Sequence, residues 1–457
     1  MSRLVVVSNR LPLGDNPSGG LVVALDDALR SSGGLWIGFS GEPVDDPADA
    51  LIDHPGAAFD RLSFDLSPED HHNYYLGFSN SVLWPICHGR ADLAHLDPVY
   101  LDGYRKVSAR IARLMVPHLR PDDRIWVQDY QLFALGAELR KLGVRNAIGH
   151  FLHIPFPAPA ECATLPNPAE LFDWMMAYDL VGFQARRDLD NFAASGHHMT
   201  GMEQTDENRF ALGGRTLRAE VFPIGIDARS FVEEARDAPD ADRVRFLTNA
   251  RLMIGVDRLD YSKGIPQRFR AFQQLLDKIP DLHEQISFLQ IAPPTRSGVQ
   301  AYDDIREETE HLAGRINGQF ATLNWTPIRF INRPYPRQVL AGLYRQARIG
   351  LVTPLADGMN LVAKEFVAAQ DPEDPGVLIL SRFAGAVEQM PAALVINPHD
   401  AHETAAAMAS AMRMSKAERK SRHQELLSVV LEKDVAWWSA AYLKALDQEA
   451  AQDALTE

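Results

Sequence analysis

The feature that most limits what this chain can fold into is a rhythm that runs twice along it: short apolar stretches of strand length separated by longer segments with helical periodicity. In the first half, apolar runs at residues 4–8, 36–39, 125–127, 149–154, 180–183 and 221–224 alternate with amphipathic stretches such as residues 103–119 and 132–142. Short strands alternating with helices predict a parallel, doubly wound sheet. The rhythm restarts with strands expected at residues 252–256, 286–291, 329–331, 349–353, 377–380 and 394–396. Between the halves, residues 233–242 are acidic, contain a proline and lack apolar anchors, as a surface connector or a short polar helix would. A chain of 457 residues has room for two or three domains at ~100–200 residues each. Two related α/β domains of Rossmann-like type are expected, residues 1–235 and 236–434. Residues 435–457 should return to the first as a docked terminal helix, since Trp437, Trp438, Tyr442, Leu443 and Leu446 recur at helical spacing. No repeat of solenoid length is visible. Open α/β sheets bind ligands beyond the carboxyl ends of their strands, so a deep cleft faced by both domains is the expected site.

Composition narrows the function classes. Apolar residues make up 46% and charged residues 23%, the balance of an ordinary globular protein. No apolar stretch approaches the ~18–20 residues of a membrane span, and the run after Arg3 is too short for a signal sequence. Two scattered cysteines, Cys87 and Cys162, favour a reducing compartment over a disulfide scaffold, and a cytoplasmic location is expected with no membrane partner. The net charge of −15 argues against nonspecific nucleic-acid binding, although a local basic pocket still concentrates the field of a few side chains on a phosphate. The histidine pairs His71-His72 and His197-His198 are adjacent rather than spaced to share a helix face, so no metal centre is expected; nor is any other cofactor.

The strongest local signal is the run Asp357-Gly358-Met359-Asn360-Leu361-Val362-Ala363-Lys364-Glu365, which follows an apolar strand and restarts as a helix. Backbone N–H groups at a helix start suit an anionic or hydroxyl-rich ligand, and a plain strand-turn-helix with Asp357 as cap accounts for the same local pattern. Glu365 lies eight residues beyond Asp357, roughly two turns at about 3.6 residues per turn. One carboxylate is then a candidate for a sugar hydroxyl and the other for a ribose diol. An equivalent loop, Asp257 to Gly264, brings Arg258 and Lys263 after another strand, a fork and a point charge for one diphosphate, or a solvated charge cluster. Arg10 ends the first strand, Gly19-Gly20 precedes a helix beginning near Leu21, and Arg296 follows a strand as a further phosphate candidate. Tyr75, Trp84, Asp129 and His153 supply aromatic faces and polar groups suited to a sugar, or to an ordinary core with a capping aspartate.

Taken together, these motifs resemble the trehalose-6-phosphate synthase family of retaining GT-B glycosyltransferases. The resemblance is colinear from Ser8-Asn9-Arg10 through Gly19-Gly20-Leu21, residues 74–85, 151–157, 256–264 and 314–318 to residues 351–370. It implies a GT-B fold and transfer of glucose from a nucleotide sugar, usually UDP-glucose, to glucose 6-phosphate. Carried over by position, it implies donor contacts from Gly20, His153, Arg258, Lys263, Asp357, Gly358, Met359, Asn360, Leu361 and Glu365. Acceptor contacts are implied for Arg10, Tyr75, Trp84, Asp129 and Arg296, with Asp129, Arg258 and Lys263 at the chemistry. A homo-oligomer is left open.

The chain departs from the family pattern near the acceptor. Gln128-Asp129-Tyr130-Gln131 stands where the family usually reads His-Asp-Tyr-His, Phe39 where tryptophan is usual, and Leu76 where asparagine is frequent. These changes remove titratable and hydrogen-bonding groups. They keep two alternatives in view, a transferase with another phosphorylated acceptor such as glycerol 3-phosphate, and a noncatalytic sugar-phosphate sensor. The resemblance implies retention by a front-face route, since no carboxylate pair at the ~5–5.5 Å of a retaining hydrolase can be assigned.

Overall fold

The computed structural model describes residues 3–13, 22, 25, 26, 28–30, 33–55, 58–238, 251–295 and 299–456. By packing, the chain divides into two units, Met1–Pro223 with Ala436–Glu457, and Ile224–Val435. The first contains a sheet of strands β1 (Leu4–Arg10), β2 (Gly34–Phe39), β3 (Ile52–His54), β4 (Asp60–Phe64), β5 (Arg124–Gln128), β6 (Ile148–Phe151), β7 (Leu180–Phe183), β8 (Glu203–Asp206), β9 (Arg209–Leu212) and β10 (Arg215–Val221). Their order is β3-β4-β2-β1-β5-β6-β7-β10-β9-β8. The second sheet contains β11 (Arg251–Val256), β12 (Ile286–Ile291), β13 (Ile328–Ile331), β14 (Ile349–Val352), β15 (Val377–Ser381) and β16 (Leu394–Ile396), ordered β13-β12-β11-β14-β15-β16.

Both sheets carry the same doubly wound core. In the second, every pairing is parallel and the spatial order is 3-2-1-4-5-6. In the first, β4-β2-β1-β5-β6-β7 repeats that order in parallel register. Such an order reverses between its first and fourth strands, and the crevice beyond their carboxyl ends is where this topology places ligands. The switch points therefore lie at β1/β5 and at β11/β14.

Three elements differ from the expected pattern. The strand expected at residues 221–224 ends at Val221 and begins at Arg215, pairing antiparallel with β9. Strand β8 is exposed throughout, so it lacks the alternation that marks a half-buried strand. Residues 224–235, expected in the first domain, pack within the second unit. Their helix Ala228–Asp237 buries Ala228, Phe231 and Ala235, and Phe231 stacks 6.2 Å from Tyr344 with the Arg337 guanidinium over its ring.

The terminal helix Val435–Thr456 docks on the first sheet through two aromatics. Trp438 and Tyr442 are fully buried; Trp126 stacks on Tyr442 at 4.6 Å and meets Trp438 at 4.9 Å. The Tyr442 hydroxyl donates to the His150 carbonyl at 3.0 Å. Gly149 makes the approach feasible, because a Cβ there would stand 2.3 Å from that hydroxyl.

Candidate active site

In the second unit, the loops after β11 and β14 meet at the switch point. After β11 the chain turns at Asp260, a fully buried residue whose carboxylate accepts from the Ser262 N–H at 2.8 Å and from the Tyr302 hydroxyl at 3.0 Å. That cap fixes the short turn Tyr261–Lys263. Gly264 follows with φ +66°, and a Cβ there would lie 2.5 Å from the Thr353 carbonyl, so glycine lets the two loops touch. The Leu355 N–H donates to the Ser262 carbonyl at 2.7 Å. Lys263, 9% exposed, then reaches Asp357 with Nζ 2.5 Å from Oδ2. The Asn360 amide donates to the same oxygen at 3.0 Å.

Behind this pair sits Arg268, a buried guanidinium. It donates to Asp257 at 2.8 Å, Gln290 at 2.7 Å, Thr353 at 2.8 Å and the Lys263 carbonyl at 3.3 Å. One cation thus ties the ends of β11 and β14 to β12 and to the lysine loop. Gly255 accommodates it, since a Cβ there would stand 2.3 Å from Nη1. Arg258 lies exposed on the same loop.

The run from Asp357 to Leu361 is held from its other side. The Asp357 N–H donates to the Phe383 carbonyl, the Gly385 N–H to the Asp357 carbonyl and the Ala386 N–H to the Met359 carbonyl. Gly385 presses on Gly358 so closely that a Cβ would overlap its carbonyl oxygen. Asn360 enters the helix Leu361–Ala369 with φ +72°. Along that helix Lys364 is buried and donates to the Ile224 carbonyl at 2.6 Å and to Gln389 at 2.7 Å, while burial pushes its ammonium down to about 7. Glu365 is partly exposed as a residue, yet its carboxyl lies deep. Burial pushes it up to about 7, and the Arg337 guanidinium and the Tyr344 hydroxyl offset only part of that rise.

In the first unit, β1 and β5 end at Arg10 and beside Asp129. Arg10 is exposed, and its guanidinium lies against Gly41, where a Cβ would stand 3.1 Å from Nη2. Its register partner Phe39 is the base of an aromatic row, 5.7 Å from the His71 ring, which lies 5.2 Å from Tyr75. His71 opens a π-helix, His71–Leu83, a rare form that recurs at functional sites. Trp84 follows it, buried, 4.1 Å from the His88 ring and 5.6 Å from Tyr130.

Asp129 has φ +70° and ψ 171°, a region essentially reserved for glycine. Its neighbours over-determine it. Its N–H donates to the Phe151 carbonyl at 2.7 Å, its carbonyl accepts from the Leu132 N–H at 3.1 Å and from His150 Nε2 at 3.1 Å, and its carboxylate accepts from the His153 N–H at 3.1 Å. The His153 ring lies between Gln128, 2.9 Å from Nε2, and Gln184, 3.1 Å from Nδ1.

Direct contacts therefore join Lys263, Asp357 and Asn360 in one cluster, and Asp129 and His153 in another. Phe39 and His71 link Arg10 to Tyr75. Gly20, with the expected helix start at Leu21, and Arg296 lie outside the described residues. Sequence reasoning missed Arg268, His71 and Gln184. Arg268 had a signal: it falls on the apolar face of its helix beside Ile265, Phe269, Phe272 and Leu275, where an unpaired charge would be costly.

Two doubly wound units, each with polar groups at its switch point, are the architecture of GT-B glycosyltransferases. The sequence profile of Glycosyltransferase family 20 matches residues 8–448, and the chain belongs to that family. It is 46% identical over 452 residues to the trehalose-6-phosphate synthase of Klebsiella pneumoniae, covering 98% of this chain and 95% of that protein. Two solved structures share its GT-B fold at 44% identity. The trehalose-6-phosphate protein of E. coli bound with UDP-2-fluoro glucose superposes with a TM-score of 0.94 over 98% of this chain and 99% of that one. The UDP-forming α,α-trehalose-phosphate synthase of Burkholderia xenovorans in complex with glucose 6-phosphate does so at 0.93 over 98% and 100%.

Proposed function

We propose that this chain is a retaining glucosyltransferase that moves glucose from UDP-glucose to glucose 6-phosphate, giving α,α-trehalose 6-phosphate and UDP. The observation that carries the reading is the Lys263–Asp357–Asn360 cluster at the second switch point, in a chain with near full-length likeness to trehalose-6-phosphate synthases. The ligands in the E. coli and Burkholderia xenovorans structures support the donor and the acceptor respectively.

In this reading Arg258 and Lys263 bind the diphosphate, with Gly20 approaching it through its backbone. The backbone from Gly358 to Leu361 and Asp357 hold the donor glucose and diphosphate, Glu365 takes the ribose hydroxyls, and His153 lies against the donor sugar. Arg10 and Arg296 bind the acceptor phosphate, Tyr75 and Trp84 face the acceptor ring, and Asp129 accepts from its hydroxyls. The bond from the anomeric carbon to the diphosphate oxygen breaks, with its electron pair leaving on that oxygen. The acceptor hydroxyl oxygen bonds to the same face of the carbon, and its proton passes to the leaving phosphate. Fixed positive charge aimed at the departing oxygen lowers the barrier without a covalent intermediate. Free, buried cysteines and a net charge of −15 favour a cytoplasmic enzyme without a nucleic-acid partner. Among the described residues no helix is long and apolar enough to cross a membrane.

The test is nucleoside-diphosphate release across a panel of nucleotide glucoses and phosphorylated acceptors, with Lys263→Ala alongside. UDP-glucose with glucose 6-phosphate should turn over fastest, and the folded lysine variant should lose at least tenfold in turnover. Faster release with glycerol 3-phosphate would displace the acceptor assignment, and normal turnover of Lys263→Ala would remove the lysine from the mechanism.

A further inference from the structure

His153 has a partner for each ring nitrogen, and both partners are carboxamides. The Gln184 amide nitrogen sits 3.1 Å from Nδ1. An amide nitrogen only donates, so with the carboxamide in this orientation Nδ1 is the acceptor. The ring proton is then on Nε2 and is donated to Gln128 Oε1 at 2.9 Å. Gln128 and Gln184 are almost fully buried, and the ring is closed over by Phe151 at 4.7 Å and by Trp438 at 6.0 Å. The titratable groups around it are Asp129, which accepts from the His153 backbone N–H, and the buried His150. The opposite tautomer would require both carboxamides to turn over. The cation would require Gln184 to turn and a charge to be buried next to His150.

We propose that Gln128 and Gln184 are positioning residues that clamp His153 as a neutral, Nε2-protonated imidazole, so that it meets the donor sugar as a fixed surface and not as a proton carrier. The catalytic half of this statement rests on the proposed placement of His153 against the donor; the clamp itself does not. Burial, helped by His150, pushes the ring down to about 3, in keeping with an imidazole that stays neutral through the working pH range. The clamp also gives the departure at position 128 a physical content. Where the family pattern places a second imidazole, this chain places an amide that cannot titrate, leaving the His153 tautomer to hydrogen-bond geometry alone.

The test uses the full-length protein labelled with 15N histidine, its long-range 1H–15N spectra recorded from pH 5.5 to 8.5, with the His153 signals assigned by their loss in His153→Asn. The clamp predicts Nε2–H tautomer shifts that do not move across this range. It predicts that Gln184→Glu, which sets a carboxylate on Nδ1, brings the ring into titration. Signal dispersion in the same spectra reports that each variant is folded. Gln184→Leu should raise the donor KM at least fivefold while leaving the acceptor KM within twofold. A wild-type ring that titrates, or one that shows the Nδ1–H tautomer, overturns the clamp. An unchanged donor KM in Gln184→Leu overturns the positioning role. A constant Nε2–H signature in a protein that transfers no glucose supports the clamp and overturns the proposed function instead.

Discussion

Asp129 stores backbone strain that can be separated from its proposed role at the acceptor. A non-glycine residue at φ +70° and ψ 171° costs on the order of 1–3 kcal/mol, and here four backbone and side-chain contacts hold it there. Replacing it by glycine removes the strain, against the ~0.5–1 kcal/mol that glycine loses to alanine at an ordinary position. Asp129→Gly should therefore be more stable than Asp129→Ala by about 1 kcal/mol in urea unfolding, the reverse of the usual order. Both should transfer glucose at least a hundredfold more slowly. Asp129→Asn keeps an acceptor for the His153 N–H and should unfold within about 1 kcal/mol of wild type, while losing at least tenfold in turnover. An alanine variant more stable than the glycine one would show that the backbone at 129 is relaxed. Sequence made the type and place of this residue legible, a carboxylate after an apolar strand. Its backbone was not legible, because the positive φ is held by Leu132, His150, Phe151 and His153, not by the residues adjacent to it in sequence.

At the scale of elements, the helix Leu361–Ala369 carries two groups whose protonation burial has shifted in opposite senses, Lys364 and Glu365. A carboxylate pushed up to about 7 loses part of its accepting capacity as pH falls through that value, since the protonated form has one oxygen committed to its own proton. The donor KM should rise as pH falls from 8 to 6, and Glu365→Gln should show a raised KM that no longer changes over this range. The acceptor phosphate titrates too, with a pKa of about 6, but that acts on the acceptor KM. A flat donor KM in the wild type would place the ribose elsewhere. The helix and its starting loop were visible from strand-turn-helix pattern alone, since that pattern is local. The network that aligns them was not. Arg268 reaches Thr353 across 85 positions and Gln290 across 22, and no window of sequence contains those pairs. The same limit hid β8, β9 and most of β10, which pair antiparallel with one another at one end of the first sheet.

Across the whole molecule, the two units should respond to acid to different extents. His150 and His153 both lie in the first unit and burial pushes each down to about 3, below the ~6.5 of an unfolded histidine. The unfolded chain then binds more protons, so the stability of this unit falls as pH drops below about 6.5, by about 1.4 kcal/mol per pH unit for each histidine. In the second unit Glu365 is raised to about 7 above an unfolded value near 4.5. Its contribution is complete below the unfolded value and is lost as pH rises through 7, so on acidification from 7 to 5 it offsets the loss from His423, which burial holds below its usual value in the same unit. Hydrogen-exchange protection, corrected for intrinsic rates, should therefore fall more in peptides of residues 124–183 between pH 6.5 and 5 than in those of residues 349–369. A parallel loss in both units would contradict the assignment of these buried groups.

The repeated apolar rhythm carried the two doubly wound units because that pattern is written in every strand. The unit boundary was less legible, since the acidic stretch near residue 235 hides an apolar stripe at Ala228, Phe231 and Ala235 that packs into the second unit. What defines this enzyme is the bond it makes. Incubation of the purified protein with UDP-glucose carrying 13C at the anomeric carbon, plus unlabelled glucose 6-phosphate, followed by NMR of the product, measures it directly. The expected product is a single disaccharide phosphate with two α-configured anomeric centres, one of them labelled, formed in equal amount with UDP. A β-linked product, labelled free glucose without a disaccharide, or no reaction from folded protein would contradict it.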